Sequence, residues 1–160
     1  MTTRILAVAA AIVIGHAASA HDFKVGDLVI EHPMAFATPK TAMTGGGYLS
    51  ITNTGAGDDR LLAVEAAFPR VMLHTTDMQN DVASMRHVEG IVIPAGATVT
   101  FEPGGLHVMF MGLDGDPFEV GEKIPATLVF EHAGNLDVMF NVEARGASDD
   151  MDHSAHGAGH

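Results

Sequence analysis

The chain has 160 residues, with 8 basic and 20 acidic side chains, 10 histidines, 10 methionines and no cysteine. That length accommodates one domain with its own core. A formal net charge of −12 sets the surface against nucleic acid and anionic lipid, and the lack of cysteine excludes disulfides and every thiolate metal site, the blue-copper type included.

Met1 to Arg4 form a short positive lead, and residues 5–15 (ILAVAAAIVIG) are continuously apolar. Ala18-Ser19-Ala20 then gives a small-residue cleavage signature. The combination reads as a secretory signal peptide over 1–20, cleaved after Ala20. As a membrane span it is too short, since spanning needs about 20 apolar residues. The mature domain, 21–145, would begin at His21.

Strand signals dominate the mature domain. Alternation of apolar and polar residues predicts strands at Val25–Glu31, Tyr48–Asn53, Arg60–Ala66, Val71–Thr75, Val82–Val88, Thr98–Phe101, Leu106–Met111, Ala126–Glu131 and Leu136–Ala144. Turn clusters separate them: His32-Pro33, Thr54-Gly55-Ala56-Gly57, Asp77 to Asp81, Pro94-Ala95-Gly96 and Ala133-Gly134-Asn135. About nine short strands with turns every 8–12 residues predict an all-β sandwich or barrel. Gly45-Gly46-Gly47 is no phosphate loop, because no helix and no Lys-Ser/Thr follow it. From Gly146 the chain turns small, polar and His-rich (GASDDMDHSAHGAGH), with nothing to bury; 146–160 reads as a flexible tail.

Residues i and i+2 of a strand share a face. Three expected strands carry a His–Met pair at that spacing: Met72 with His74, Met85 with His87, and His107 with Met109. Thioether sulfur is a soft, neutral ligand suited to Cu(I), and imidazole is borderline; carboxylates would favour harder ions. A mixed His/Met set therefore points to copper, with Cu(I) preferred. The structural alternative is that Met fills core gaps and each His is held by a hydrogen bond. Met72 and Met111 read as packing by that logic, His87 as a flanking or exposed residue, and His32 and His132 as structural.

The spacing His74-x10-Met85-x21-His107-x-Met109 resembles the H-x10-M-x21-H-x-M pattern of the periplasmic copper chaperones called PCu(A)C. Other segments are similar to landmarks of that family, notably Tyr48-Leu49-Ser50-Ile51-Thr52-Asn53, Ile93-Pro94-Ala95-Gly96 and the run Pro103 to Leu113. One departure is visible: the family usually carries Trp after His-Pro with a basic residue shortly beyond, and this chain has Met34 and Phe36. The resemblance implies a cupredoxin-like Greek-key β-barrel that binds Cu(I) through His74, Met85, His107 and Met109 near the surface. It also implies delivery of copper in the periplasm to respiratory oxidase assembly, notably the CuA centre of cytochrome c oxidase, alongside Sco-type thiol proteins. The expected protein is a monomer, with a copper-bridged oligomer as the alternative.

Two further features suit Cu(II). Met151, His153, His156 and His160 place several imidazoles on the tail, and His21, at a newly cut N-terminus, could chelate through its amino group and ring. Competing functional classes are a copper-dependent oxidoreductase built on His21 and a copper storage or resistance protein. Paired thioethers, which stabilise Cu(I) against oxidation, speak for a carrier rather than an enzyme.

Overall fold

A computed structural model of the chain describes residues 22–146. The signal segment, His21 and the tail positions Met151, His153, His156 and His160 lie outside the described residues. Within them every regular element is a strand: β1 Phe23–Val25, β2 Leu28–Phe36, β3 Thr44–Asn53, β4 Asp59–Ala66, β5 Arg70–Gln79, β6 Val82–His87, β7 Ile91–Ile93, β8 Thr98–Phe101, β9 Leu106–Met111, β10 Lys123–Phe130 and β11 Asn135–Glu143.

The all-β expectation holds, with eleven strands in place of nine. Two local features make the difference. Gly26, at a φ of +54°, turns the chain between β1 and β2, so the expected strand over Val25–Glu31 divides in two. Ile91–Ile93 forms a separate strand against β4, its two isoleucines buried and Val92 exposed. His32-Pro33, expected to end a strand, lies inside β2. There the pairing with β3 shifts register between Glu31 and Met34, and His32 takes a φ of +50°. A bulge absorbs the proline's missing N–H and the strand continues. The turn expected over Asp77 to Asp81 narrows to Asn80-Asp81, both at positive φ, the two-residue hairpin geometry that matches strand twist.

The strands run in the order β6-β5-β9-β3-β2-β11-β10-β4-β7, with β1 on β2 and β8 on β3. All pairs are antiparallel except β11 with β2. The sheet curls so that β4 meets β5 and β7 meets β3, enclosing one apolar core. Burial alternates along the strands, as in β3 and β10, and the inward set includes Ile30, Ile51, Leu61, Ile93, Phe110, Leu128 and Phe140, all essentially without exposure. Phe68, Phe110, Phe118 and Phe140 stack edge-on or tilted, with ring centroids 5.2–5.7 Å apart, in the range aromatic pairs prefer.

This aromatic cluster accounts for the glycine run. A Cβ on Gly45 would overlap the Phe118 ring, and one on Gly47 would stand 2.8 Å from Phe110 and 3.0 Å from Phe140. Glycine lets the rings lie directly on the β3 backbone.

Asp59 opens β4 and is buried. Its Oδ1 accepts the main-chain N–H groups of Arg60 and His132 at 2.7 and 3.0 Å, and Oδ2 accepts that of Ala133 at 2.9 Å. Burial by itself would raise this carboxyl's pKa. The three donors outweigh it and hold the group below its ordinary 3.8. His132 thus serves through its backbone, as a structural residue.

Candidate metal centre

The hairpin β5–β6, strand β9 and the first half of β3 form one flank of the barrel. Inward it presents Leu73, Val108 and Phe110 to the core. Outward, the period of two places Met72, His74 and Thr76 on β5, Met85 and His87 on β6, and His107, Met109 and Met111 on β9. Register brings these together. His74 lies opposite His87 on one side and His107 on the other. Met85 lies opposite Thr76, and Met109 lies between Met72 and Gly46. The group occupies the outer face of this flank.

Three imidazoles thus form a row across three strands. The ring centroids of His74 and His107 are 5.8 Å apart, and those of His74 and His87 are 6.0 Å apart. Exposure falls along the row: His87 is exposed, His74 half-buried, and His107 only 5 % exposed. The ring nitrogens are arranged to leave lone pairs available. His107 Nδ1 lies 3.0 Å from the Gly105 carbonyl and His87 Nδ1 lies 3.1 Å from that of Leu73. A carbonyl can only accept, so each Nδ1 carries the proton and each Nε2 a free lone pair. A main-chain acceptor behind the ring is the usual support of a metal-binding His.

His74 is different. Its Nδ1 is buried and has no hydrogen-bond partner among the described residues, a deficit that ordinarily costs about 1–3 kcal/mol. Burial, then the neighbouring His107 and His87, hold its pKa below the usual 6.5, so the ring stays neutral and able to donate a lone pair near pH 7.

A cavity of about 220 Å³ opens beside the row, lined by Met85, Thr76, His107, Met109, Gly46 and Tyr48 with Phe36, Arg145 and other residues. Gly46 forms part of its wall, and a Cβ there would meet the Tyr48 hydroxyl at 2.7 Å. Phe36 packs on Tyr48 at 5.6 Å between centroids, and Arg145 sits 5.7 Å from the Phe36 ring. Sequence reasoning missed Thr76, Tyr48 and Arg145 as wall residues; they come from three separate segments and share no motif. Phe36, noted as standing near the family's usual Trp, lines the cavity too.

Among the described residues, no Asp or Glu lines this cavity, although the chain carries 20 acidic residues. Among the described residues, no three His, Asp or Glu side chains are grouped so as to hold a metal ion by themselves. Neutral imidazole and thioether, without carboxylate, disfavour calcium, magnesium and manganese and suit a soft monovalent ion. His74, Met85, His107 and Met109 fit that requirement, and the unmet Nδ1 of His74 is an atom such an ion would satisfy. Met85 is 61 % exposed, so the group is open to solvent on its β6 side. Met72 and Met111, expected as packing, are half-buried on the same face.

The described fold matches known proteins in both sequence and structure. The family described as "Putative lipoprotein LpqE-like" matches residues 28–142. A protein named "Putative lipoprotein Lxx21020", from Leifsonia xyli subsp. xyli, is 37% identical over 95 residues, 58% of this chain and 57% of that protein; the chain thus spans little more than half of that relative's length. Among solved structures, the copper-bound PCuAC domain of PmoF2 superposes with a TM-score of 0.65 at 32% identity, covering 78% of this chain and 98% of the domain. The apo PCuAC domain of PmoF1 gives 0.66 at 29% identity, covering 78% and 99%. The Cu(I) form of DR1885 from Deinococcus radiodurans gives 0.59 at 28% identity, covering 82% and 86%. The chain belongs to the LpqE-like family, and its barrel is built as the PCuAC copper-binding domains are.

Proposed function

We propose that this protein is an exported copper carrier, resident in the periplasm, that holds one Cu(I) through His74, Met85, His107 and Met109 and passes it on without catalytic turnover. The carrying observation is the donor set: Met85, His107 and Met109 line a cavity with no Asp or Glu among its described lining residues, and strand pairing sets His74 beside His107, its buried Nδ1 without a hydrogen-bond partner among the described residues. Copper-bound and Cu(I)-bound structures among the solved relatives support the metal. The leader over 1–20 and the lipoprotein family description support export. Exposure of Met85 at the mouth suits transfer, since an acceptor's ligand can enter before every donor bond is broken. Neutral soft donors hold Cu(I) rather than cycle it with oxygen.

The acceptor in this reading is a copper-accepting protein of respiratory oxidase assembly, either the CuA-bearing subunit or a Sco-type thiol protein. Two further features are candidates for Cu(II): the tail residues Met151, His153, His156 and His160, and, separately, His21 at a newly cut N-terminus. Competitive titration of the mature chain, from His21 on, with Cu(I) and Cu(II) chelators tests both parts. One tight Cu(I) equivalent should persist when the three tail histidines are changed to alanine, while Cu(II) capacity falls. Loss of Cu(I) binding in that variant would contradict the core site.

A further inference from the structure

His87 is left over from the four-residue donor set, yet it is built like a ligand. It stands opposite His74 in the β5–β6 pairing, with ring centroids 6.0 Å apart, nearly the separation of His74 from His107. Its Nδ1 is tied to the Leu73 carbonyl, which fixes the ring and leaves Nε2 free, as the Gly105 carbonyl does for His107. It shares a face with Met85, two residues away on β6. His74 sits between the two outer rings, and no single ion reaches all three imidazoles as they stand among the described residues. The row therefore offers two overlapping positions with His74 and Met85 common to both. The inner one adds the buried His107 with Met109. The outer one adds the exposed His87, on the strand that ends the sheet.

We infer that His87 is a copper ligand at an outer transfer position, formed by His87, His74 and Met85, through which Cu(I) enters and leaves the inner site. The inference rests on the reading of this face as a Cu(I) site and deepens it. Copper moves between positions by exchanging His107 and Met109 for His87 while His74 stays bound, so the ion keeps at least one imidazole throughout. The exposure gradient along the row gives the motion its direction: an acceptor docking on the free edge of β6 meets His87 first.

The test uses the full chain, anaerobic, with Cu(I) as the probe. Two-bond ¹H–¹⁵N spectra of the imidazoles are followed to one equivalent, and Cu(I) release to a bidentate chelator is timed. His87→Asn keeps a donor for the Leu73 carbonyl and removes Nε2. We expect resonances of His74, His107 and His87 all to move. We expect His87→Asn to slow release at least threefold while equilibrium affinity changes less than threefold. Shifts confined to His74 and His107, or an unchanged release rate in His87→Asn, would overturn the outer position. Silence of all three rings would instead refute the Cu(I) reading of this face, and the outer position with it.

Discussion

Replacing Met85 by leucine should separate metal binding from folding more cleanly than any other single change. Met85 is 61 % exposed on the edge strand β6. Leucine is close to methionine in volume, and exposed substitutions away from special features usually change stability by no more than about 0.5 kcal/mol. That corresponds to roughly 2 °C or less in Tm for a chain of this size. The copper side is different in kind. Residues that merely orient metal ligands typically cost about 10–100-fold in affinity when changed, so loss of a sulfur that touches the ion should cost at least as much, about 1.4–2.8 kcal/mol. The assay is anaerobic competition against a Cu(I) chelator, paired with a thermal melt of the apo protein. Met78→Leu is the matched control: Met78 is 65 % exposed on the same hairpin but lies outside the cavity lining, and its loss should leave affinity unchanged. Equal affinities for parent, Met85→Leu and Met78→Leu would refute the assignment of Met85.

Two further outcomes arise from the electrostatics. Because the folded pKa of His74 is lowered, the unfolded chain takes up a proton near pH 6.5 that the folded protein refuses until lower pH. Apo stability should therefore fall as pH drops from 7.5 toward 5, and His74→Gln should flatten part of that loss; parallel pH profiles of the denaturation midpoint would contradict this. Asp59, also lowered in the folded state, contributes stability that is present above about pH 3.9 and lost as pH falls through its lower folded value. Asp59→Asn turns an N–H donor toward one of three backbone donors and should cost about 1–3 kcal/mol by chemical denaturation, with Cu(I) affinity unchanged because the site lies on another part of the barrel.

The class of fold was legible because alternation is a local signal. Burial in β3 follows it residue by residue. What escaped were features set by single backbone angles or by brevity: the Gly26 turn, the bulge that carries β2 past Pro33, and the three residues of Ile91–Ile93 between Gly90 and Pro94. At the site, a shared face on each strand could be read from spacing alone. Register could not. Only the pairing of β5 with both β6 and β9 shows that His87 joins the row, which is why it read as a flanking residue. The cavity wall was likewise hidden, since Tyr48, Thr76 and Arg145 meet through tertiary packing. The glycine run became intelligible only once Phe110, Phe118 and Phe140 were seen against it.

The most direct test of the central claim is X-ray absorption at the copper edge of the full chain loaded with one equivalent of Cu(I). A Cu(I) ion held by His74, Met85, His107 and Met109 should show a mixed shell, with nitrogen near ~2.0 Å and sulfur near ~2.3 Å, typical of first-row metal–ligand bonds, and the sulfur contribution should diminish when Met85 and Met109 are both changed to leucine. A shell of nitrogen and oxygen alone in the parent, or a sulfur contribution untouched by the double substitution, would contradict it.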